Sequence, residues 1–383
     1  MVRLVGRLGI ADFLFGIDEE GNELIGDAEE MFGRQAGGHD LLIGGSGAGF
    51  FNVLAGDAAD MRDLSRGGND RLMGGGNSSQ SYLYGDADSM SDSARGGNDR
   101  IFGGDGALSN FMVGDGVRMN DVTVGGRDLL VGGDHAENSI YGEGMEVFGS
   151  VRGGDDTLIG GDHADNIMRG EGQEVATRVR GGDDLLVGGR QSVNDLAGDA
   201  NMLRLGSGGN DVVRGGERSD NTLQGDARYL FSRGGDDTLV ASHIGSNELY
   251  GDAYQMLAQA QGGDDRLISG RGDDHLWGDA KFRSGIFLGE ATEDEWYADP
   301  PEIDNTIGGN DTFVFRPGNG DDTIQDFQRG RDIIELSGFG KNLDEFDELT
   351  IVQDGEDCTI VLGCNSITVI GYDGLLEMDV QFV

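Results

Sequence analysis

The chain is 383 residues long, with 72 Gly, 3 Pro and a formal charge of −43 from 71 acidic and 28 basic residues. This composition excludes collagen, which needs glycine at every third position and abundant proline, and argues against nucleic acid as a partner, since its phosphates would be repelled. It also predicts a chain that resists collapse until something neutralises it.

The first residues, Met1 to Gly9, carry Arg3 and Arg7 but neither an apolar run nor a small-residue cleavage site, so no ordinary secretory leader is expected. No later stretch approaches the ~20 apolar residues of a membrane helix. From residue 12 onward one phrase returns every 26 to 30 residues, as in Gly68-Asn69-Asp70-Arg71-Leu72 and Gly154-Asp155-Asp156-Thr157-Leu158. Its aspartate stands at Asp12, Asp40, Asp70, Asp99, Asp128, Asp156, Asp184, Asp211, Asp237 and Asp265. A fixed period of this length marks a stacked array, because one unit cannot bury its apolar side chains alone.

Each unit holds three predicted strands. Two residues past the aspartate comes an apolar position (Leu42, Leu72, Ile101). A second phrase, Asn-x-apolar-x-Gly-acidic, supplies Leu54, Leu83 and Met112 in successive units, and five residues past its glycine come Met61, Met90 and Met119. These short alternating segments bounded by glycine read as strands of three or four residues. The expected fold is all-β: a right-handed parallel β-solenoid, β-roll-like, of about ten long coils of ~28 residues, with a C-terminal β-rich cap. At ~4.8 Å per coil the stack is about 48 Å long. Its coils have three short faces, or two faces and a wide looped corner.

A second acidic column follows the glycine of the second phrase: Asp27, Asp57, Asp86, Asp115, Glu143, Glu171, Asp199, Asp226, Asp252 and Asp279. Carboxylates stacked ~4.8 Å apart repel by about 3.5 kcal/mol per neighbouring pair at an effective dielectric of 20. A divalent cation between coils reverses that sign. Ca2+ takes six to eight oxygens in a flexible cage, which acids and bare glycine carbonyls can supply, whereas Mg2+ demands a stricter octahedron. Zn2+ wants Cys or His, and five His in the whole chain do not provide them.

Two coils break the copy rule together: Gly133-Asp134-His135-Ala136 is followed by Glu143, and Gly161-Asp162-His163-Ala164 by Glu171. His135 and His163 beside those glutamates are a candidate metal or acid–base site; a coil duplicated late and drifting as a pair is the favoured account. Five coils carry Arg66, Arg95, Arg152, Arg180 and Arg233 before the glycine pair, read as a ladder pairing with carboxylates. The repeat stops near residue 283. In residues 284–305, a linker or lateral loop, Trp296 and Tyr297 lie near Glu290, a combination that suits a sugar ring and glycoside chemistry. Further on, Cys358 and Cys364 share a strand parity with Ile360 and Leu362, and both are expected in the core, too far apart to bridge.

The segment Ser269-Gly270-Arg271-Gly272-Asp273-Asp274-His275-Leu276-Trp277 resembles the nonapeptide Gly-Gly-x-Gly-x-Asp-x-apolar-x of RTX (repeats-in-toxin) calcium-binding proteins, departing only at Ser269. Most other coils carry Asn where Asp274 stands, as at Asn22, Asn52, Asn110, Asn138, Asn166, Asn194, Asn221 and Asn247, which reads as a structural hydrogen-bond ladder. In residues 306–383, Gly309-Asn310-Asp311-Thr312-Phe313, Gly320-Asp321-Asp322-Thr323-Ile324 and Gly330-Arg331-Asp332-Ile333-Ile334 look like the C-terminal region of serralysin-type secreted proteases. That resemblance implies multiple Ca2+ ions, with Asp274, Asp311 and Asp322 among the ligands. It also implies a cap over the solenoid and an uncleaved export signal, at Met378-Asp379-Val380-Gln381-Phe382-Val383, read by a type I secretion apparatus. His-Glu-x-x-His is absent, so zinc proteolysis is not expected.

The reading is a secreted calcium-binding repeat protein without a catalytic centre, residues 1–283 forming the solenoid and its folding driven by Ca2+. Two rivals stay open. One is a polysaccharide-acting lyase, epimerase or glycosidase on the same frame, marked by an aromatic-lined groove; the other is an adhesin or surface-layer subunit, marked by calcium-dependent self-association at a cell surface.

Overall fold

A computed structural model describes residues 1–284, 306–340, 343 and 345–383. The coil that begins at Asp40 shows how each unit is built. Leu41–Ile43 forms one strand, Phe51–Ala55 a second and Ala58–Met61 a third. The chain then passes through a single bridge residue, Arg66, and returns at Asp70 to the start of the next coil. Every strand pairs in parallel with its copies above and below, with inward residues aligned: Leu42 on Leu72, Leu54 on Leu83, Met61 on Met90. Over the described residues this stacking yields three long sheets, of 15, 13 and 10 strands, and one short two-stranded sheet. The molecule is a parallel β-solenoid of about ten turns.

The three apolar columns do not share one core. Leu42, Leu54 and their copies meet between the 15- and 13-stranded sheets and form the main cluster. Met31, Met61, Met90, Met119, Val147 and Val175 belong to a second cluster under the 10-stranded sheet, with Ala94, Val151, Val179 and Ala260, each the residue just before a bridge position. Each coil thus has a two-faced body and a lateral lobe with its own small core. Burying such side chains stabilises each by about 2 kcal/mol, and each core is continuous only because its neighbours stack.

Both body sheets run on past residue 283. Arg266–Ile268 pairs with Thr312–Phe315, and that strand with Ile333–Leu336. Asp274–Trp277 pairs with Asp321–Ile324, which pairs with Asn365–Val369. The lateral sheet ends at Ala280–Ser284. The cap adds an antiparallel meander, Thr350–Asp354, Asp357–Leu362 and Asn365–Val369, whose Ile360 and Ile367 extend the main core. The last strand, Val380–Phe382, closes the 13-stranded sheet against Ile333–Leu336. Cys358 is buried as expected, but Cys364 is exposed. The strand ends at Leu362, and Gly363 at φ +75° turns the chain into the next strand, so Cys364 falls outside the alternation that the sequence suggested.

Candidate metal centre

Body and lobe join at a neck. The chain leaves the body through Gly56-Asp57 and re-enters through Gly67-Gly68-Asn69-Asp70, so the two acidic columns stand side by side between two apolar cores. They are interior, not at solvent-washed corners: Asp57, Asp86 and Asp115 are fully buried, and Asp70 is only 2% exposed.

The first column is a hydrogen-bonded ladder. The backbone N–H of Asp40 donates to Oδ1 of Asp70 at 2.6 Å, Asp70 to Asp99 at 2.6 Å, Asp99 to Asp128 at 2.7 Å and Asp128 to Asp156 at 2.7 Å. The pattern continues through Asp184, Asp211, Asp237 and Asp265 to Asp311 and then Asp332. In the second column each carboxylate accepts the N–H of the returning glycine, which closes its own lobe: Gly68 on Asp57 at 2.9 Å, Gly97 on Asp86 at 2.9 Å, Gly235 on Asp226 and Gly263 on Asp252 at 2.7 Å. Asp27, Asp115 and Asp199 accept from Gly38, Gly126 and Gly209 in the same way. Where the residue is Glu143 or Glu171 the carboxylate accepts in the same way from Gly154 and Gly182.

These bonds leave oxygens over. Oδ2 of Asp40, Asp70, Asp99, Asp128, Asp156, Asp184, Asp211, Asp237, Asp265 and Asp311 is buried with no hydrogen-bond partner, as are one oxygen each of Glu143, Glu171, Asp199, Asp226 and Asp252. Cations sit only at the ends of the columns among the described ion pairs. Arg7 holds Asp12 at 2.7 Å, and Arg283 holds Asp279 at 3.2 Å. In between, burial first and neighbouring carboxylates second push Asp86, Asp115, Asp128 and Asp184 well above the usual carboxylate range. Burial raises Asp156 to about 7 and Asp99 to about 8. At the capped end the Arg7 hydrogen bond instead lowers Asp12.

Glycine carbonyls complete the neck. A Cβ on Gly85 would collide with Oδ2 of Asp99 and with the carbonyl oxygen of Gly114; the same pair of collisions recurs at Gly56, with Asp70 and Gly85. The unpartnered oxygen and a carbonyl of the next coil therefore crowd one bare Cα. Among the described residues no three His, Cys, Asp or Glu side chains converge on a point. A cation here would be held by one acid from each column together with such carbonyls, an oxygen-only donor set that suits Ca2+. Gly85→Ala is expected to destabilise the folded protein by about 3 kcal/mol, as overpacking at an unyielding backbone does, with a lowered denaturant midpoint as the readout.

Other candidates lie elsewhere. Asp274 and Asp322 join the asparagine column at the opposite turn, where Asn194 donates to Asn221 at 2.9 Å, Asn221 to Asn247 at 2.8 Å and Asn247 to Asp274 at 2.6 Å. Both oxygens of each are bonded, Asp274 to Asn247 and Gly270, Asp322 to Asp274 and Asn319. His135 and His163 stack at 5.0 Å with rings 5° apart, in an open groove of about 1000 Å³. They are separated from Glu143 and Glu171 by the strands Glu137–Tyr141 and Asp165–Arg169, so the expected His–Glu pairing does not form. Glu290, Trp296 and Tyr297 lie outside the described residues. Arg66, Arg95, Arg152, Arg180 and Arg233 stack on the lobe but enter none of the described ion pairs, so the expected pairing ladder with carboxylates does not form among the described residues.

The sequence reading passed over two acids. Asp332 is the next rung after Asp311, at 3.1 Å, and burial raises it to about 7. Asp326 accepts the N–H groups of Gly278 and Asp279 at 2.7 and 3.1 Å. The phrase Gly330-Arg331-Asp332 carried the signal for the first.

A parallel β-solenoid whose long coils are laced by columns of aspartate is an RTX-type repeat structure. The sequence family described as Peptidase M10 serralysin C terminal matches residues 36–370, and the chain belongs to it. That match is to the repeat region of serralysin-type proteins and not to their catalytic protease domain. A search of curated proteins finds no match.

Proposed function

We propose that this is a secreted, non-catalytic calcium-binding protein whose array folds when Ca2+ enters the necks. The observation that carries the reading is the set of buried carboxylate oxygens left without partners along a column whose interior rungs enter none of the described ion pairs. When bound, Ca2+ supplies the positive charge that lets neighbouring acids stay ionised in an apolar interior. The chain does the rest. First-column aspartates fix the rung register through Oδ1, second-column acids clamp each lobe shut on its returning glycine, and the glycines keep the neck narrow enough to shut water out. Binding free energy thereby becomes folding free energy.

In a cytoplasm poor in calcium the chain stays extended by its own repulsion, a state suited to passage through a type I secretion apparatus. Outside, the rungs close. Residues 378–383, the proposed export signal, include the final strand of the folded sheet, so they are free to be read only before folding. Equilibrium dialysis with metal analysis tests the reading. Roughly ten Ca2+ per chain are expected, about one per neck, falling by about three in the triple variant Asp128→Asn, Asp156→Asn, Asp184→Asn. A count near zero, or one indifferent to those substitutions, defeats it.

A further inference from the structure

We propose that the exposed arginine column of the lateral lobe binds a linear acidic polysaccharide, laid along the solenoid axis with sugar carboxylates on successive guanidinium groups. The column is built by the fold. Arg66 pairs in parallel register with Arg95, Arg152 with Arg180, and Arg233 continues the same line after Val124 and Ser207 interrupt it. Neighbouring positions are one rung apart, ~4.8 Å, close to the advance of one pyranose ring along an extended chain.

All five side chains are exposed and none enters a described ion pair. Some arginines elsewhere do pair with acids: Arg62 on Glu30 at 2.7 Å, Arg118 on Asp88 at 2.6 Å, Arg190 on Asp162 at 2.6 Å. The backbone aligns five guanidinium groups that would repel one another, while the exposed acids three residues ahead of the column, Asp63, Asp92 and Asp121, each spend an oxygen on a backbone N–H of the coil before. An anion from outside is what such a line lacks.

The surface beside it is shaped and partly apolar. A hollow of about 490 Å³ runs between Arg34, Arg66 and Arg95, and one of about 750 Å³ lies beside Arg178 and Arg233. Leu64, Val122 and Leu205, two residues ahead of the arginine column in their coils, are 50%, 56% and 60% exposed. Flat C–H faces of sugar rings suit such positions, while guanidinium forks grip carboxylates in pairs. A duplex nucleic acid fits less well, because its dense phosphates meet a strongly acidic molecule on every other face.

The test uses the full chain folded in calcium, with circular dichroism run in parallel so that loss of folding and loss of binding are read separately. The probe is a short unbranched oligogalacturonate, too small to gel with calcium, titrated by calorimetry. Binding is expected to weaken about tenfold or more as salt rises from about 50 to about 200 mM, and to fall at least about tenfold in the variant R66Q/R95Q/R152Q/R180Q/R233Q at unchanged dichroism. Lysine at the same five positions is expected to keep salt-dependent but weaker binding, since it brings the charge without the fork. Unchanged affinity in the glutamine variant overturns the proposal. So does equal binding of a neutral dextran oligomer, or preference for double-stranded DNA.

Discussion

Stripped of calcium at pH 7, the protein is expected to lose most of its β signal in far-ultraviolet circular dichroism and expand several-fold in volume, and to recover both when Ca2+ returns. The size of the effect follows from the neck. Each first-column aspartate either stays ionised against a like charge above and below, at about 3.5 kcal/mol per contact at an effective dielectric of 20, or takes up a proton that an unfolded aspartate does not hold at pH 7. Ten rungs of that cost exceed the about 5 to 15 kcal/mol by which folded domains usually outlast their unfolded chains. Arg7 and Arg283 relieve only the terminal rungs. Mg2+ is expected to restore little, because it holds its waters and the crowded glycine Cα leaves no room for them. Dichroism with small-angle scattering checks the expectation, and a strand signal that survives exhaustive chelation would falsify the calcium reading.

Acid should substitute for the metal. In the calcium-free fold, burial holds Asp40 and Asp156 near 7 and Asp99 near 8, against about 3.9 for an aspartate in the unfolded chain. A raised folded-state value means that the folded chain binds more protons between those limits. Stability from these groups is therefore full below about pH 4 and is lost as pH rises through about 7 to 8. Each raised group tilts the balance by up to about 1.4 kcal/mol per pH unit, and many titrate together. Without calcium the array should be folded near pH 4 and unfolded near pH 8; with calcium the order reverses, since the ligating acids must be ionised. A pH series of dichroism spectra in chelator and in calcium separates the cases, and two parallel curves would sink the shared-neck explanation.

Much of this was readable from the repeat alone. Strict copying of Asp70, Leu72, Leu83 and Met90 at one period specifies strands, faces and register, because stacked coils hold equivalent residues in contact. The asparagine ladder followed from the same rule. What the period could not convey is how a coil folds back on itself. Met61 and Leu54 are equally apolar, yet they belong to different cores, and only the closure of Gly68 on Asp57 reveals the neck between them. For that reason the burial of the acids between two cores was not foreseen, and the arginines were expected to pair with carboxylates. The strand order of the cap was also hidden, since Cys358 and Cys364 look equivalent until Gly363 turns the chain.

One coil takes 46 residues to advance from Asp265 to Asp311, yet the aspartate bond re-forms at 3.0 Å and Gln261 still bridges Ile307. That rung thus closes although more sequence intervenes between the lateral strand Ala280–Ser284 and the bridge position Ile307. A foreign peptide spliced at the same point of another repeat is expected to leave the circular dichroism of the folded stack unchanged, which would make the protein a rack with evenly spaced mounting positions along one edge.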